Sequence, residues 1–114
     1  KVTGAMVCVA DRDEIIAAAG KNHKNYIGKA LSKELENIMD KRKSALYSKK
    51  DDTLIPVVKD DKVDCEAQAI AVIVHDGDSA GAVILCVYDE KADKSEIAEK
   101  LAGAAAEFLA DQLG

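Results

Sequence analysis

Three cysteines (Cys8, Cys65 and Cys86) and two histidines (His23 and His75) are the side chains with the widest chemical range in this 114-residue chain. The cysteines are too few and too scattered for a disulfide scaffold, and no Cys-x-x-Cys pair suggests zinc or thioredoxin-like chemistry. Their usage points to a reducing compartment. Cys65 stands between Asp64 and Glu66, whose carboxylates disfavour a thiolate, the opposite of the electropositive setting a reactive thiol needs. Cys8 and Cys86 lie in apolar runs and read as small core residues. The histidines are 52 positions apart, each in a polar stretch, and they lack the i, i+4 spacing of a helical zinc site. No serine sits in a Gly-x-Ser-x-Gly elbow, and no glycine-rich phosphate loop is present. The expectation is a chain that is not an enzyme, holds no metal and uses no cofactor.

The elements that position these residues follow from periodicity. From Val2 to Val9 both alternate sets are mostly apolar, which predicts a strand covered on both faces. Asp11-Arg12-Asp13 is a polar turn, and Glu14 to Ala19 returns as a second strand that ends at Gly20. Lys21 to Asn25 is polar, and Asn22 or Asn25 can cap a short helical piece carrying Tyr26, Ile27, Ala30 and Leu31. Ser32 caps a helix to about Lys43, with Leu35, Ile38 and Met39 at helical spacing and Lys41-Arg42-Lys43 at the end where the helix dipole favours positive charge. The single proline, Pro56, lies in a short extended piece, Leu54 to Val58, between two charged loops. Ala67 to Val74 and Ala80 to Tyr88 form a hairpin about Asp76-Gly77. Asp93 and Glu96 resemble a capping box that opens a helix to about Leu113.

The order is strand, strand, helix, strand, strand, strand, helix. In the strand Ala80 to Tyr88 neither alternate set is polar, whereas an antiparallel sheet usually leaves one face wet. The expected fold class is therefore α+β, a central antiparallel sheet of about five strands covered by helices on both faces, in one domain spanning residues 1–114. The last helix carries Ile97, Leu101, Ala104 and Phe108 on one stripe and Ala98, Ala102, Ala105 and Leu109 on the next, a wider apolar arc than one sheet contact needs. Either the helix lies flat on the sheet, or its alanine stripe also packs on a second subunit. Ile97, Leu101, Ala105, Phe108 and Leu109 are the candidate contacts of a homo-oligomer.

The formal net charge is −5, and its distribution is uneven. Between Lys21 and Lys50 nine basic side chains face three acids, a local balance of +6 that leaves −11 for the rest. These lysines form the solvated face of an amphipathic helix, or they contact an anionic ligand, DNA phosphates or an acidic neighbouring subunit. No aromatic residues interleave with them in a way that would stack on bases. No apolar run approaches the roughly 20 residues that span a bilayer, and the first residues lack the regions of a signal peptide, so no membrane role and a cytoplasmic location are expected.

The run Ala69 to Val74, the turn Asp76-Gly77-Asp78 and the start Ala80-Gly81-Ala82-Val83 of the next strand resemble the hairpin of GAF-type sensory domains. More narrowly, Val9-Ala10-Asp11-Arg12-Asp13 with Ile15-Ile16-Ala17, then Tyr26-Ile27-x-Lys29-x-Leu31-Ser32, Met39-Asp40-x-Arg42 and Ala105-x-x-Phe108-Leu109-Ala110-x-Gln112, are similar to the C-terminal GAF-like domain of the stage V sporulation protein T family. Those proteins are AbrB-type transcriptional regulators of endospore-forming bacteria. The resemblance covers nearly the whole chain except Ser48 to Cys65. It implies a noncatalytic sensor and oligomerisation domain that acts on an attached AbrB-type DNA-binding domain, with that N-terminal domain and the first helix absent from this chain.

The resemblance also implies an unidentified small-molecule effector held between one sheet face and the segment Tyr26 to Cys65. Tyr47 and Cys65 are candidate ligand-binding residues by location, and His23 is a rim candidate. The alternative is that Leu31, Leu35, Ile38 and Met39 pack directly on the sheet and leave no cavity. Some GAF domains reduce free methionine sulfoxide with loop and strand cysteines, so a small thiol enzyme is one competing reading and a purely structural dimerisation domain is another.

Overall fold

Small and branched aliphatics fill Ala5–Ala10, and this segment forms strand β1 in a computed structural model that describes residues 4–89, 97–99 and 101–103. The turn behind it is made by Asp11, whose Oδ1 accepts from the backbone N–H groups of Asp13 (2.8 Å) and Glu14 (2.9 Å). This Asx turn sends the chain back as β2, Ile15–Gly20, with a bulge opposite Ala10. A single 3-10 turn, His23–Asn25, follows, entered through Asn22 in the left-handed region at φ 60°.

Ser32 then starts α1, Lys33–Lys41, by accepting from the N–H of Leu35 at 3.0 Å. An N-cap of this kind is worth about 1 kcal/mol to a helix. Its hydroxyl also donates to the Pro56 carbonyl at 2.6 Å, so the cap ties the helix to the loop beyond it. Arg42 closes the helix in the left-handed conformation, φ 56°, with its N–H on the Met39 carbonyl.

The next strand corrects the sequence expectation. It is β3, Ala45–Ser48, while Leu54 to Val58 is irregular apart from a single bridge between Leu31 and Val58. Pro56 has no N–H to give a ladder, and the polar groups of its neighbours are taken by Gln68 and Ser32 instead. Strands β4, Ala67–His75, and β5, Asp78–Val87, form the expected hairpin, with Asp76 (φ 53°) and Gly77 (φ 82°) in a two-residue turn. Every pairing is antiparallel, and the sheet order is β2-β1-β5-β4-β3.

Both faces of this sheet are covered. On the first, Met6, Cys8, Ile70, Ile84 and Cys86 pack under Leu31, Leu35, Ile38, Met39, Val57 and Cys65. On the second, Ala5, Val9, Ala69, Val83, Leu85 and Val87 meet Ile97 and Leu101, which lie in helical residues 97–99 and 101–103. The fold is α+β with a five-stranded antiparallel sheet, as the apolar strands imply. Val2, Thr3, the Asp93 and Glu96 capping box and the helix beyond residue 103 lie outside the described residues.

Candidate functional site

The segment 49–64 has neither helix nor strand, and specific polar contacts hold it over the first sheet face. The side-chain amide of Gln68, only 2% exposed, accepts from the Ile55 N–H at 2.9 Å and donates to the Ile55 carbonyl at 2.7 Å. Farther along, the Tyr26 hydroxyl reaches both carboxylate oxygens of Asp61, at 3.1 and 3.2 Å. Burial, with the nearby Asp61 charge as the next cause, raises the Tyr26 phenol, so it stays protonated and donates.

Between this segment and the start of β4 lies an open cleft of about 210 Å³ lined by Lys49, Asp52, Leu54, Val63, Asp64 and Cys65. A second cleft of about 230 Å³ runs from Asn22, Tyr26 and Lys29 to Asp60, Asp61 and Lys62. Both are smaller than the roughly 300 Å³ at which sites for drug-sized ligands begin, so they suit a small polar molecule. Leu31, Leu35, Ile38 and Met39 fill the space directly above the sheet, and the two clefts lie at its margins.

All three cysteines are buried free thiols in the same core cluster. Cys86 sits on β5 opposite Gln68, and the chain bends at Glu66, just ahead of β4, where the Glu66 N–H donates to the Val87 carbonyl at 2.7 Å and Cys65 enters the same core cluster as Cys86. The two thiols act on each other in opposite directions, Cys86 lowering the Cys65 thiol below its ordinary value and Cys65 raising that of Cys86, which burial raises further. The flanking Asp64 acts on Cys65 in the expected direction, and a group the sequence did not point to acts against it. Asp64 and Asp61 push the Cys65 thiol up, while Cys86 pushes it down. Cys8 behaves as an inert core residue, with burial pushing it up to about 12. Tyr88 closes the cluster, its phenol raised mainly by burial, with the Lys21 ammonium 4.5 Å from its ring centroid.

Of the three ligand-binding candidates read from the sequence, Tyr47, Cys65 and His23, Cys65 alone lines one of these clefts. Tyr47 is on β3 and packs partly buried against the core cluster. The Nδ1 of His23 pairs with the Gly20 carbonyl at 2.8 Å, which fixes the ring beside the β2 end rather than at a cleft wall. Ile97 and Leu101 are buried against the sheet of their own chain, and Ala105, Phe108 and Leu109 lie outside the described residues. In the basic segment, Arg42 meets Asp78 at 3.5 Å as an exposed pair of small energetic weight, and the exposed Lys49 meets the half-buried Glu66 at 3.6 Å. Among the described residues, no group of three or more His, Cys, Asp or Glu side chains is placed to hold a metal ion, and no helix is long and apolar enough to cross a membrane.

Sequence reading missed Gln68, Asp61 and the placing of Cys65 and Cys86 in one core cluster. A signal for the last existed: the Asp76-Gly77 turn fixes the hairpin register near Gln68 and Cys86, three residues from Cys65.

Two comparisons with known proteins bear on this arrangement. The family model described as "Stage V sporulation protein T C-terminal, transcription factor" matches residues 1–114. The stage V sporulation protein T of Bacillus subtilis (strain 168) is 36% identical over 110 residues, which is 96% of this chain and 60% of that protein. The chain thus spans about three fifths of the length of this curated relative. With the family model matched from the first residue to the last, the chain belongs to the stage V sporulation protein T C-terminal family of transcription factor domains.

Proposed function

We propose that this chain is a GAF-like, noncatalytic sensor and oligomerisation domain of a cytoplasmic, sporulation-associated transcriptional regulator, acting on an attached AbrB-type DNA-binding domain. The observation that carries the reading is the cleft beside Cys65. It lies where the irregular segment 49–64 meets a sheet covered on both faces, and a small polar effector bound there touches that segment and the sheet together. An effector that binds one placement of the segment better than another shifts the balance between the two, and differential affinity is the only requirement. Subunit contacts are assigned to the last part of the chain, with Ala105, Phe108 and Leu109 as candidates and Ile97 and Leu101 as their anchor to the sheet. DNA is contacted through the attached domain, not through this one.

Native mass spectrometry of the protein taken at its natural length from sporulating cells tests both halves. The expected result is an oligomer that retains a small molecule, released when Asp64→Lys is introduced in the cleft. An oligomer with nothing bound selects the second reading, a structural dimerisation domain, which the filling of the space above the sheet by Leu31, Leu35, Ile38 and Met39 favours. A bare monomer overturns both.

A further inference from the structure

The cleft of about 230 Å³ takes no part in the regulatory reading above, and its two walls carry opposite charge. One wall is the turn after β2, where Asn22, Asn25 and Lys29 line the opening and Lys29 is the single charged residue. The other is the end of the irregular segment, where Lys59 and Lys62 stand against Asp60, Asp61 and Asp64, an excess of one negative charge. The walls are fixed to each other at several points. Tyr26, only 8% exposed, reaches from the first wall to both carboxylate oxygens of Asp61 on the second. The Lys59 N–H donates to the Ala30 carbonyl at 3.1 Å, and Leu31 forms a bridge with Val58. Among the described residues, Lys29, Lys59 and Lys62 form no ion pair, although three carboxylates line the same cleft. Charges of both signs therefore stand apart around an open volume.

We propose that this cleft binds a small free amino acid with a polar side chain, its carboxylate toward Lys29 and Asn25 and its ammonium toward Asp60 and Asp64. The sign of the walls decides the class. The lining as a whole is formally neutral, three lysines against three aspartates, so a simple anion such as phosphate meets three carboxylates and a simple cation meets three ammonium groups. A zwitterion has a charge for each wall, and its dipole lies along the field between them. Size and polarity narrow the choice. The volume is below that of sites for drug-sized ligands, and Val58 is the one aliphatic residue among the described residues that line it, so a side chain like that of serine or threonine suits it better than a large apolar one. Because Tyr26 and Asp61 already tie the walls together, binding orders little of the chain. The site does not rest on the cleft beside Cys65; Asp64 is the one described residue on both linings. Occupancy joins the turn after β2 to the irregular segment and holds that segment at a further point.

The test is a titration of the purified protein at its natural length, isotopically labelled for NMR, with L-serine. Two further probes each lack one charge: glycerate has no ammonium and ethanolamine has no carboxylate. L-serine is expected to shift the amides of 22–29 and 58–62 and to saturate, while glycerate, ethanolamine and inorganic phosphate bind at least about tenfold more weakly. Lys29→Glu and Asp60→Lys each reverse a charge on one wall and should weaken serine binding about tenfold. Lys49→Glu, in the cleft beside Cys65, should leave serine binding unchanged, and the dispersion of the amide spectrum verifies that each variant is folded. Four outcomes would each overturn the proposal: no saturable shift with L-serine, L-threonine, L-asparagine or glycine up to roughly 10 mM; glycerate, ethanolamine or phosphate binding as tightly as serine; shifts confined to 49–54 and 63–65; or serine binding unchanged in both charge-reversed variants of this cleft.

Discussion

Gln68 and Ile55 form a closed two-bond ring: the side-chain amide of one receives and returns the backbone hydrogen bonds of the other, at 2.9 and 2.7 Å. Gln68 is on β4, whose two edges are already taken by β3 and β5, so its side chain reaches the segment 49–64 over the sheet face. A glutamine side chain thereby satisfies the backbone of a residue that has no strand to pair with.

Gln68→Leu keeps the volume and removes both bonds, leaving the Ile55 N–H and carbonyl without partners. Each orphaned group costs about 1–3 kcal/mol when buried, and Ile55 is half-buried, so the expected loss is about 2–3 kcal/mol. Urea denaturation monitored by circular dichroism measures it. Protease cleavage within 49–64 should rise in parallel, because the loop loses its tie to the sheet. A stability unchanged within about 0.5 kcal/mol would show that the ring does not anchor the segment.

Gly81 shows a different constraint on the same sheet. A Cβ built there collides with the backbone carbonyl oxygen of Ala10 on β1, whereas at Gly28, φ +82°, nothing lies within 4 Å. Two glycine-to-alanine changes should therefore part company. Gly28→Ala has only the left-handed conformation to bear, about 1 kcal/mol. Gly81→Ala must move one strand against another and is expected to cost about 2–3 kcal/mol, in the range of overpacking in a close-packed interior. Thermal melts of the two variants give the ranking, and equal melting temperatures would refute it.

How much of this was legible beforehand depended on whether a signal was local. The hairpins were, because Asp11-Arg12-Asp13 and Asp76-Gly77 are turn chemistry and the flanking runs are apolar on both faces. Ser32 and the stripe Leu35, Ile38, Met39 likewise define α1 without help from the rest of the chain. Strand β3 was not legible. Ala45–Ser48 is four residues long and weakly patterned, and it is a strand because β4 offers an edge for it, from Ala45 opposite Ile70 to Ser48 opposite Ala67. Leu54 to Val58 looked more strand-like by composition, yet Pro56 and the competing partners Gln68 and Ser32 take its backbone out of the ladder. The site failed for the same reason. Asp64 and Glu66 flank Cys65 in sequence, so the carboxylates seemed decisive, while Cys86, which acts on the same thiol in the opposite direction, is 21 positions away and arrives only with the β4–β5 register.

The Asp11 turn carries a pH dependence whose sign can be worked out. Its carboxylate accepts two backbone N–H bonds, and these, first that of Asp13 and then that of Glu14, hold its pKa below the ordinary 3.8. A group depressed in the folded state adds stability that is fully present above its unfolded value and is lost as the pH falls through the folded one. The β1–β2 hairpin should therefore weaken as the pH drops below about 4 and be insensitive to this group at neutrality. Asp11→Asn keeps an Oδ1 acceptor for both N–H groups but cannot titrate. Its urea midpoint should lie slightly below that of the parent at neutral pH, where the charge strengthens the two bonds, and the gap should close as both are acidified. Because Asp11 is almost fully exposed, the effect is small, and it is best read by amide exchange at Asp13 and Glu14. Protection at those two amides that falls equally in parent and variant between roughly pH 5 and roughly pH 3, after correction for intrinsic exchange, would remove Asp11 as the cause.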